Sequence, residues 1–466
     1  MRRSVLTLGL ALGCGPTPVG ESAVVGESVA VGESVVAVAP GSGLEPFGEA
    51  WLLAQGERYL GSPADRRRAL ERSLRNPDNL YSRMRLGAYG MGALGWDLLP
   101  EWNPRVLPAT RATGEALAAG RGLAAVHEAP PLWDGVRPDT LAGWQALGRR
   151  VFFDYPLRPE VFAEHALARP EVGAAVGLRA AADGSVPGAV VFVDVDGAAR
   201  VGITCALCHV AIEGGEVVIG RARRDFDYGG MRLAYHRDTG AALDSALARR
   251  MAGWGPGRAD ITEDDDEDPV AIPDLWRLRE LGALTQAATL RHTELGEDAP
   301  LALAIRQETQ LLHANRERAR PPRELAWALA MFLYSLEPPP PEVVASPAGQ
   351  RGAALFQAHC EGCHADPGGS GTPLAAAAVG TDPALANGTS RGTGLYRPAP
   401  LYRVGEAAPY LHHGVVATLA DMFDPARLRD DYRGGAHGPG PIVGHEFGLD
   451  LAPGEREDLI AHLRER

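Results

Sequence analysis

Apolar residues recur at three- and four-residue spacing through most of this chain, and sustained alternation is rare. TLAGWQALGRRVFFDYPL (140–157) sets Leu141, Trp144, Leu147 and Val151 on one helical face and stops at a proline. Upstream, FGEAWLLAQGERYL and RRRALERSL read as amphipathic helices. Helical spacing returns over 273–336, most clearly in PPRELAWALAMFLYSL. PPPP at 338–341 ends it, because proline neither donates the backbone bond nor continues a helix. AGQRGAALFQAH and the terminal PGEREDLIAHLRER are further helices. VPGAVVFVDVDG (186–197) is the main exception and reads as a hairpin. The pattern predicts a mostly α protein.

The chemistry sits in two short motifs. CALCH holds Cys205, Cys208 and His209, and CEGCH holds Cys360, Cys363 and His364. Cys-x-x-Cys-His is the attachment pattern of c-type haem. Two thiols three residues apart on a helical turn reach both vinyl groups of one porphyrin, and the adjacent histidine lies under the ring as an iron ligand. The alternatives are a redox dithiol, which has no use for the histidine, and a zinc site, which would need the two motifs to meet. The motifs predict two covalently bound haem c groups.

The sixth iron position decides what each site does. For the second, His445 in GHEFGLD is the leading candidate, with Gly444 freeing the backbone beside it and a helix following. Met422, His412, His413, Tyr432 and His437 lie in the same stretch. For the first, Met231, His236 and His292 are available, none well placed. By elimination, the iron above His209 is expected to be the open one.

The 466 residues, 45% hydrophobic and 23% charged, allow two or three domains. The net charge of −13 argues against nucleic acid, and every basic side chain is an arginine. MRRSVLTLGLALGC opens with Arg2 and Arg3 and a short apolar run. It reads as an export signal (1–14) with Cys14 as a lipid anchor, or else as plain secretion. A periplasmic or outer-membrane-anchored lipoprotein is expected. Residues 15–46, with VGES three times, read as a flexible tether. The expected order continues with a helical extension (47–139), a first haem domain (140–337), a Pro-rich linker (338–346) and a second haem domain (347–466). TEDDDEDP (262–269) offers clustered carboxylates to calcium but lacks the ordered spacing of a binding loop, so a solvated acidic loop is the stronger reading.

LGRRVFFDYPL (147–157) resembles the segment that opens bacterial di-haem cytochrome c peroxidases. APLYRVGEAAPYLHHGVVATLADMF (399–423) resembles that family's second signature, with His413 where aspartate is usual. GHEFG and WGPGRAD (254–260) look more like the di-haem rubber oxygenase branch, in which a late histidine completes the second haem. The resemblance covers roughly residues 140–466. It implies two class I cytochrome c-like domains: a reactive haem with His209 as proximal ligand, and an electron-transfer haem on His364. It also implies a small redox donor protein or quinol-linked cytochrome and a small oxidant as partners. A pure electron carrier, and an oxygenase acting on an apolar substrate, are the alternatives. The chain departs from the family in a longer stretch between FFD and the first motif, and it lacks the peroxidase distal loop. His292, Glu294 and Gln286 are the right types for acid–base work. Trp254 is a candidate electron relay and Arg258 a candidate propionate partner. A core tryptophan and a surface arginine are equally good readings of those two.

Overall fold

The computed structural model describes residues 44–89, 98–260, 268–312, 318–340, 344–365 and 368–466. The signal, Cys14, nearly all of the tether and most of the acidic run at 262–269 lie outside them.

Helices α1 (Glu49–Gly61), α2 (Pro63–Ser73) and α3 (Leu80–Tyr89) come first. The region expected to be a helical extension is not helical throughout. Val106–Thr110 forms strand β1, followed by α4 (Arg111–Ala118). Helix α5 (Leu141–Asp154) starts where the spacing predicts, its N-terminus capped by the Thr140 side chain. Strand β2 (Arg158–Pro159), helices α6 (Val161–Leu167) and α7 (Pro170–Ala175), and strands β3 (Ser185–Val193) and β4 (Ala199–Ile203) follow. The stretch read as a hairpin, 186–197, supplies β3 and the turn, and its partner strand β4 lies just beyond it. The β3–β4 hairpin is the centre of an antiparallel sheet in the order β1-β3-β4-β2.

CALCH forms the one-turn helix α8 (Ala206–His209), which leads into the hairpin β5 (Val210–Glu213) and β6 (Glu216–Ile219). Helices α9 (Tyr228–Thr239), α10 (Ser245–Trp254), α11 (Ala299–Leu312), α12 (Arg323–Tyr334) and α13 (Pro347–His359) come next. The short α14 (Ala376–Val379), α15 (Ala384–Asn387) and α16 (Leu419–Met422) precede α17 (Pro453–Arg464). Among the described residues, no helix is long and apolar enough to cross a membrane.

Two helix crossings organise the molecule. Helix α5 packs along α12, and α13 along α17. Each pair meets at a glycine. A methyl group on Gly148 would lie 1.9 Å from the Ala328 carbonyl oxygen, and one on Gly352 would lie 1.9 Å from that of Asp458. One turn later each helix buries a phenylalanine, Phe152 or Phe356. The largest apolar core joins α1, α2, α5, α11 and α12, with Cys205 at its edge. A second lies beneath the sheet and includes α6, α9 and Leu207, with Cys208 at its edge. A third surrounds Phe356, Met422, Phe423 and Leu459. The two motif-bearing regions are stitched together by Arg221 to Glu406 (2.8 Å), Arg224 Nε–H to the Ala407 carbonyl (3.2 Å) and Ala271 N–H to the His412 carbonyl (2.9 Å).

Candidate haem sites

CEGCH lies directly at the end of α13. It opens onto a cavity of about 390 Å³ lined by Cys360, Cys363, His364, Val379, Leu401, Met422, Phe423, Leu463 and His445. His364 Nδ1 contacts the carbonyls of Gly369 (2.7 Å) and Ala399 (3.1 Å). A carbonyl only accepts, so Nδ1 carries the proton and Nε2 keeps a free lone pair. Burial holds this imidazole below its ordinary pKa, and therefore neutral and able to ligate.

His445 faces it. The two ring centroids are 6.3 Å apart. With metal–imidazole bonds of about 2 Å, two rings on opposite sides of one iron need a separation close to that. His445 Nδ1 is buried without a hydrogen-bond partner, and burial pushes the ring to a pKa of about 4. The loop that presents it is held by a fully buried arginine. Arg427 donates to the carbonyls of Met422 (3.1 Å), Ile442 (2.5 Å), Gly444 (2.9 Å) and His445 (2.8 Å).

The other candidates in that stretch are placed differently. Met422 lines the cavity within the apolar core. The His412 ring stacks between Tyr396 and His413, 4.2 Å from each. Tyr432 donates to Asp421 (2.8 Å).

The cavity also carries an uncompensated cation. Among the described residues, the Arg397 guanidinium donates only to the Thr285 carbonyl (3.2 Å) and the Ser370 hydroxyl (3.4 Å), and burial pushes its pKa down to about 10. A buried guanidinium with no carboxylate beside it is costly unless an anion arrives. The residues present therefore fit a covalently held haem: thiols, two facing imidazoles, an apolar wall and a cation for a propionate.

At the first motif, His209 Nδ1–H donates to the Pro273 carbonyl (3.0 Å), again leaving Nε2 free. Burial pushes the ring to a pKa of about 4. Burial also raises the thiols, Cys205 to about 12 and Cys208 to about 11. Such thiols are poor thiolates, which disfavours a reactive dithiol. Among the described residues, no three His, Cys, Asp or Glu side chains gather as a metal-ion cluster, so the two motifs do not share a zinc. Nor does any described ring stand against His209 as His445 stands against His364. Met231 is sealed in the core under the sheet, and His236 Nδ1 donates to the Ala241 carbonyl (3.1 Å).

The remaining candidates have other duties. His292 is fully buried, donating from Nδ1 to the Leu281 carbonyl (2.9 Å) and accepting at Nε2 from the Tyr334 hydroxyl (2.7 Å). Both ring nitrogens are committed. Glu294 is half-exposed and pairs with Arg75 (3.1 Å) and Arg291 (3.3 Å). Gln286 donates to the Ala271 carbonyl (2.7 Å) on the wall of the second cavity. Arg258 donates to the carbonyls of Gly253 (2.6 Å), Trp254 (2.6 Å) and His413 (2.8 Å), closing the end of α10 and tying it to the YLHHG loop. Trp254 stacks on Tyr228, with centroids 6.2 Å apart, and does not line the second cavity.

The tryptophan that does line it is Trp276, three residues after the Pro273 that holds His209. Sequence reading passes over IPDLW because its decisive atom is a backbone carbonyl, which has no residue signature. Tandem Pro and Trp soon after an acidic run is the only trace it leaves.

The family model for the cbb3-type cytochrome c oxidase subunit III matches residues 347–397. Among solved structures, the chain is similar to a MauG-like protein associated with microbial copper homeostasis. That match has 20% identity and a TM-score of 0.31, and it covers 45% of this chain and 77% of that one. It is also similar to hydrazine synthase of Kuenenia stuttgartiensis, with 15% identity and a TM-score of 0.28, covering 47% and 79%. No curated protein matches the chain. The matched segment carries CEGCH, and a second Cys-x-x-Cys-His motif stands before it at 205–209.

Proposed function

We propose that the protein is an exported di-haem cytochrome c, lipid-anchored through Cys14, with one haem for electron transfer and one reactive haem. The second haem is held by Cys360 and Cys363 and ligated by His364 and His445. The first is held by Cys205 and Cys208 and ligated by His209. The observation that carries this reading is the asymmetry between the motifs: His445 stands 6.3 Å from His364, and no described ring stands so against His209. Bound iron supplies reversible one-electron chemistry, and a free sixth position adds binding of a small oxidant.

The chain's own residues set the rest. The carbonyls of Pro273, Gly369 and Ala399 fix the tautomer of each proximal histidine. Arg427 holds the loop of His445, which would ligate the iron opposite His364. The segment from Pro273 to Trp276 spans from one site to the wall of the other and supports electron passage between them. A small redox protein or quinol-linked cytochrome would be the electron donor.

The test is the absorption and electron paramagnetic resonance spectrum of the purified holoprotein, with and without carbon monoxide. One high-spin haem that binds carbon monoxide beside one inert low-spin haem is expected. His445→Ala should convert the low-spin haem to high-spin. Two inert low-spin haems after half-reduction would make the protein an electron carrier only. An unchanged spectrum in His445→Ala would remove that ligand assignment.

A further inference from the structure

Another cavity, of about 670 Å³, lies at the turn of the β3–β4 hairpin and the start of α6, lined mostly by the stretch between α5 and the first motif. Four guanidiniums line it, those of Arg158, Arg200, Arg232 and Arg318, against the three carboxylates of Glu160, Asp194 and Asp196. That is an inversion of local charge in a chain of −13.

Three of the arginines are engaged, Arg318 among them. Arg158 donates to Glu160 (2.9 Å), which also accepts from the Tyr228 hydroxyl (2.8 Å). Arg200 binds Asp194 (3.0 Å) and Asp196 (2.6 Å).

Arg232 is different. Its guanidinium carbon lies over three rings, 5.2 Å from the centroid of Phe162, 5.8 Å from Tyr228 and 5.9 Å from Trp254. Its Nε is buried with no hydrogen-bond partner; it feels the charges of Glu160 and Arg158, but among the described residues it forms no ion pair. Aromatic faces stabilise a cation but leave its N–H groups unsatisfied. A guanidinium so held presents a planar fork matched to a carboxylate. The site borders the first motif. Arg158 pairs in the sheet with Ile203, two residues before Cys205, and Tyr228 packs on the same apolar cluster as Cys208.

We propose that Arg232, in its aromatic cage, is the receiving group of a carboxylate-binding site in this cavity. The carboxylate comes either from a small organic acid whose apolar body lies against Val161 and Phe162, or from a propionate of the haem on Cys205 and Cys208. Only the second source rests on the haem reading above.

Calorimetric titration of the holoprotein with benzoate, and with benzyl alcohol as the uncharged control, separates the two. Midpoint potentials of each haem are measured on the same samples of wild type, Arg232→Gln and Arg232→Lys. A free-acid site binds benzoate and not benzyl alcohol, with affinity reduced about tenfold or more in Arg232→Gln and less in Arg232→Lys. A propionate site ignores benzoate, but Arg232→Gln shifts the potential of the first haem alone and Arg232→Lys holds it. Neither response, with haem content and thermal midpoint intact, overturns the proposal. If Arg232→Gln does not accumulate, Arg232→Lys is read by the same criteria, with the smaller change expected. Absence of haem on Cys205 and Cys208 would sink the reading of the first motif, and benzoate binding would still decide this site.

Discussion

The two halves of the molecule begin alike and then diverge. G-x-x-V-F in α5 and G-x-x-L-F in α13 each let a long helix cross a partner at a glycine and bury a phenylalanine one turn on. In the second half the helix runs straight into its Cys-x-x-Cys-His, and a loop stapled by Arg427 returns a histidine to the opposite side of the cavity. In the first, the chain leaves α5, builds α6, α7 and three of the four strands of the sheet, β2, β3 and β4, and only then reaches CALCH. The motif is then seated on the sheet rather than on a helix end. That stretch lines most of a cavity which α9, following CALCH, completes with the caged Arg232, and no described ring stands against His209. Under the function proposed above, one frame would hold a closed electron-transfer site or an open one, depending on what the chain places after the first helix.

The seat of the first motif is the place to break this contrast most severely. Gly188 in β3 has φ +88°, and a Cβ there would lie 2.0 Å from the Leu207 nitrogen and 2.1 Å from its Cα. Gly188→Ala combines left-handed backbone strain with backbone overlap that no side-chain movement relieves. A loss of about 4 kcal/mol is expected, with α8 displaced from the sheet. Haem quantitation by peptide should show loss at Cys205 and Cys208 and retention at Cys360 and Cys363. Equal retention at both would mean the sheet does not seat the first motif.

A smaller effect is expected on the other side. Arg427→Met keeps the apolar stem but leaves the carbonyls of Met422, Ile442, Gly444 and His445 without their donor. Each buried unsatisfied group costs about 1 kcal/mol or more, and relaxation recovers part, so a loss of about 3 kcal/mol is expected. His445 should lose its fixed position, and a high-spin fraction should appear in the second haem only. An unaltered low-spin signal would show that the loop holds His445 without the arginine.

Much of this was legible in the sequence, for reasons that also mark its limits. The helices declared themselves because their apolar spacing is local, and the motifs because two thiols and an imidazole at fixed spacing have few other uses. His445 was legible because a histidine beside a glycine, just ahead of a terminal helix, is a local feature too. The pairing of Val106–Thr110 with β3 was not, since only the fold brings those segments together. Arg258 and His292 have the right chemistry for a haem site but spend it on helix-end carbonyls and a buried tyrosine. Residue type alone does not distinguish a ligand from a core polar group whose bonds are satisfied internally.

The smallest effect sharpens the contrast through pH. Asp298, at the start of α11, is buried and accepts from Arg58 (2.9 Å), Arg68 (3.4 Å) and Arg72 (2.5 Å), tying α1 and α2 to the core that flanks Cys205. Burial alone would raise its carboxyl pKa, but hydrogen bonds from Arg68 and Arg58, with their charges, more than offset this and hold it below 3.8. A depressed carboxylate stabilises the fold fully above its unfolded pKa of about 3.9, and that contribution is lost as pH falls through the folded value. Two of the three arginines are half-exposed, so a contribution of about 2 kcal/mol at pH 7 is expected. Asp298→Asn should lower the urea midpoint at neutral pH, and the gap to wild type should close as both are titrated below that pKa. Among the described residues, no carboxylate of this kind anchors the loop of His445, which is held by an arginine on backbone carbonyls. On acidification the spectrum of the first haem should therefore change before that of the second. Simultaneous loss of both would mean that the two sites unfold as one unit and that their different seats do not set their stability.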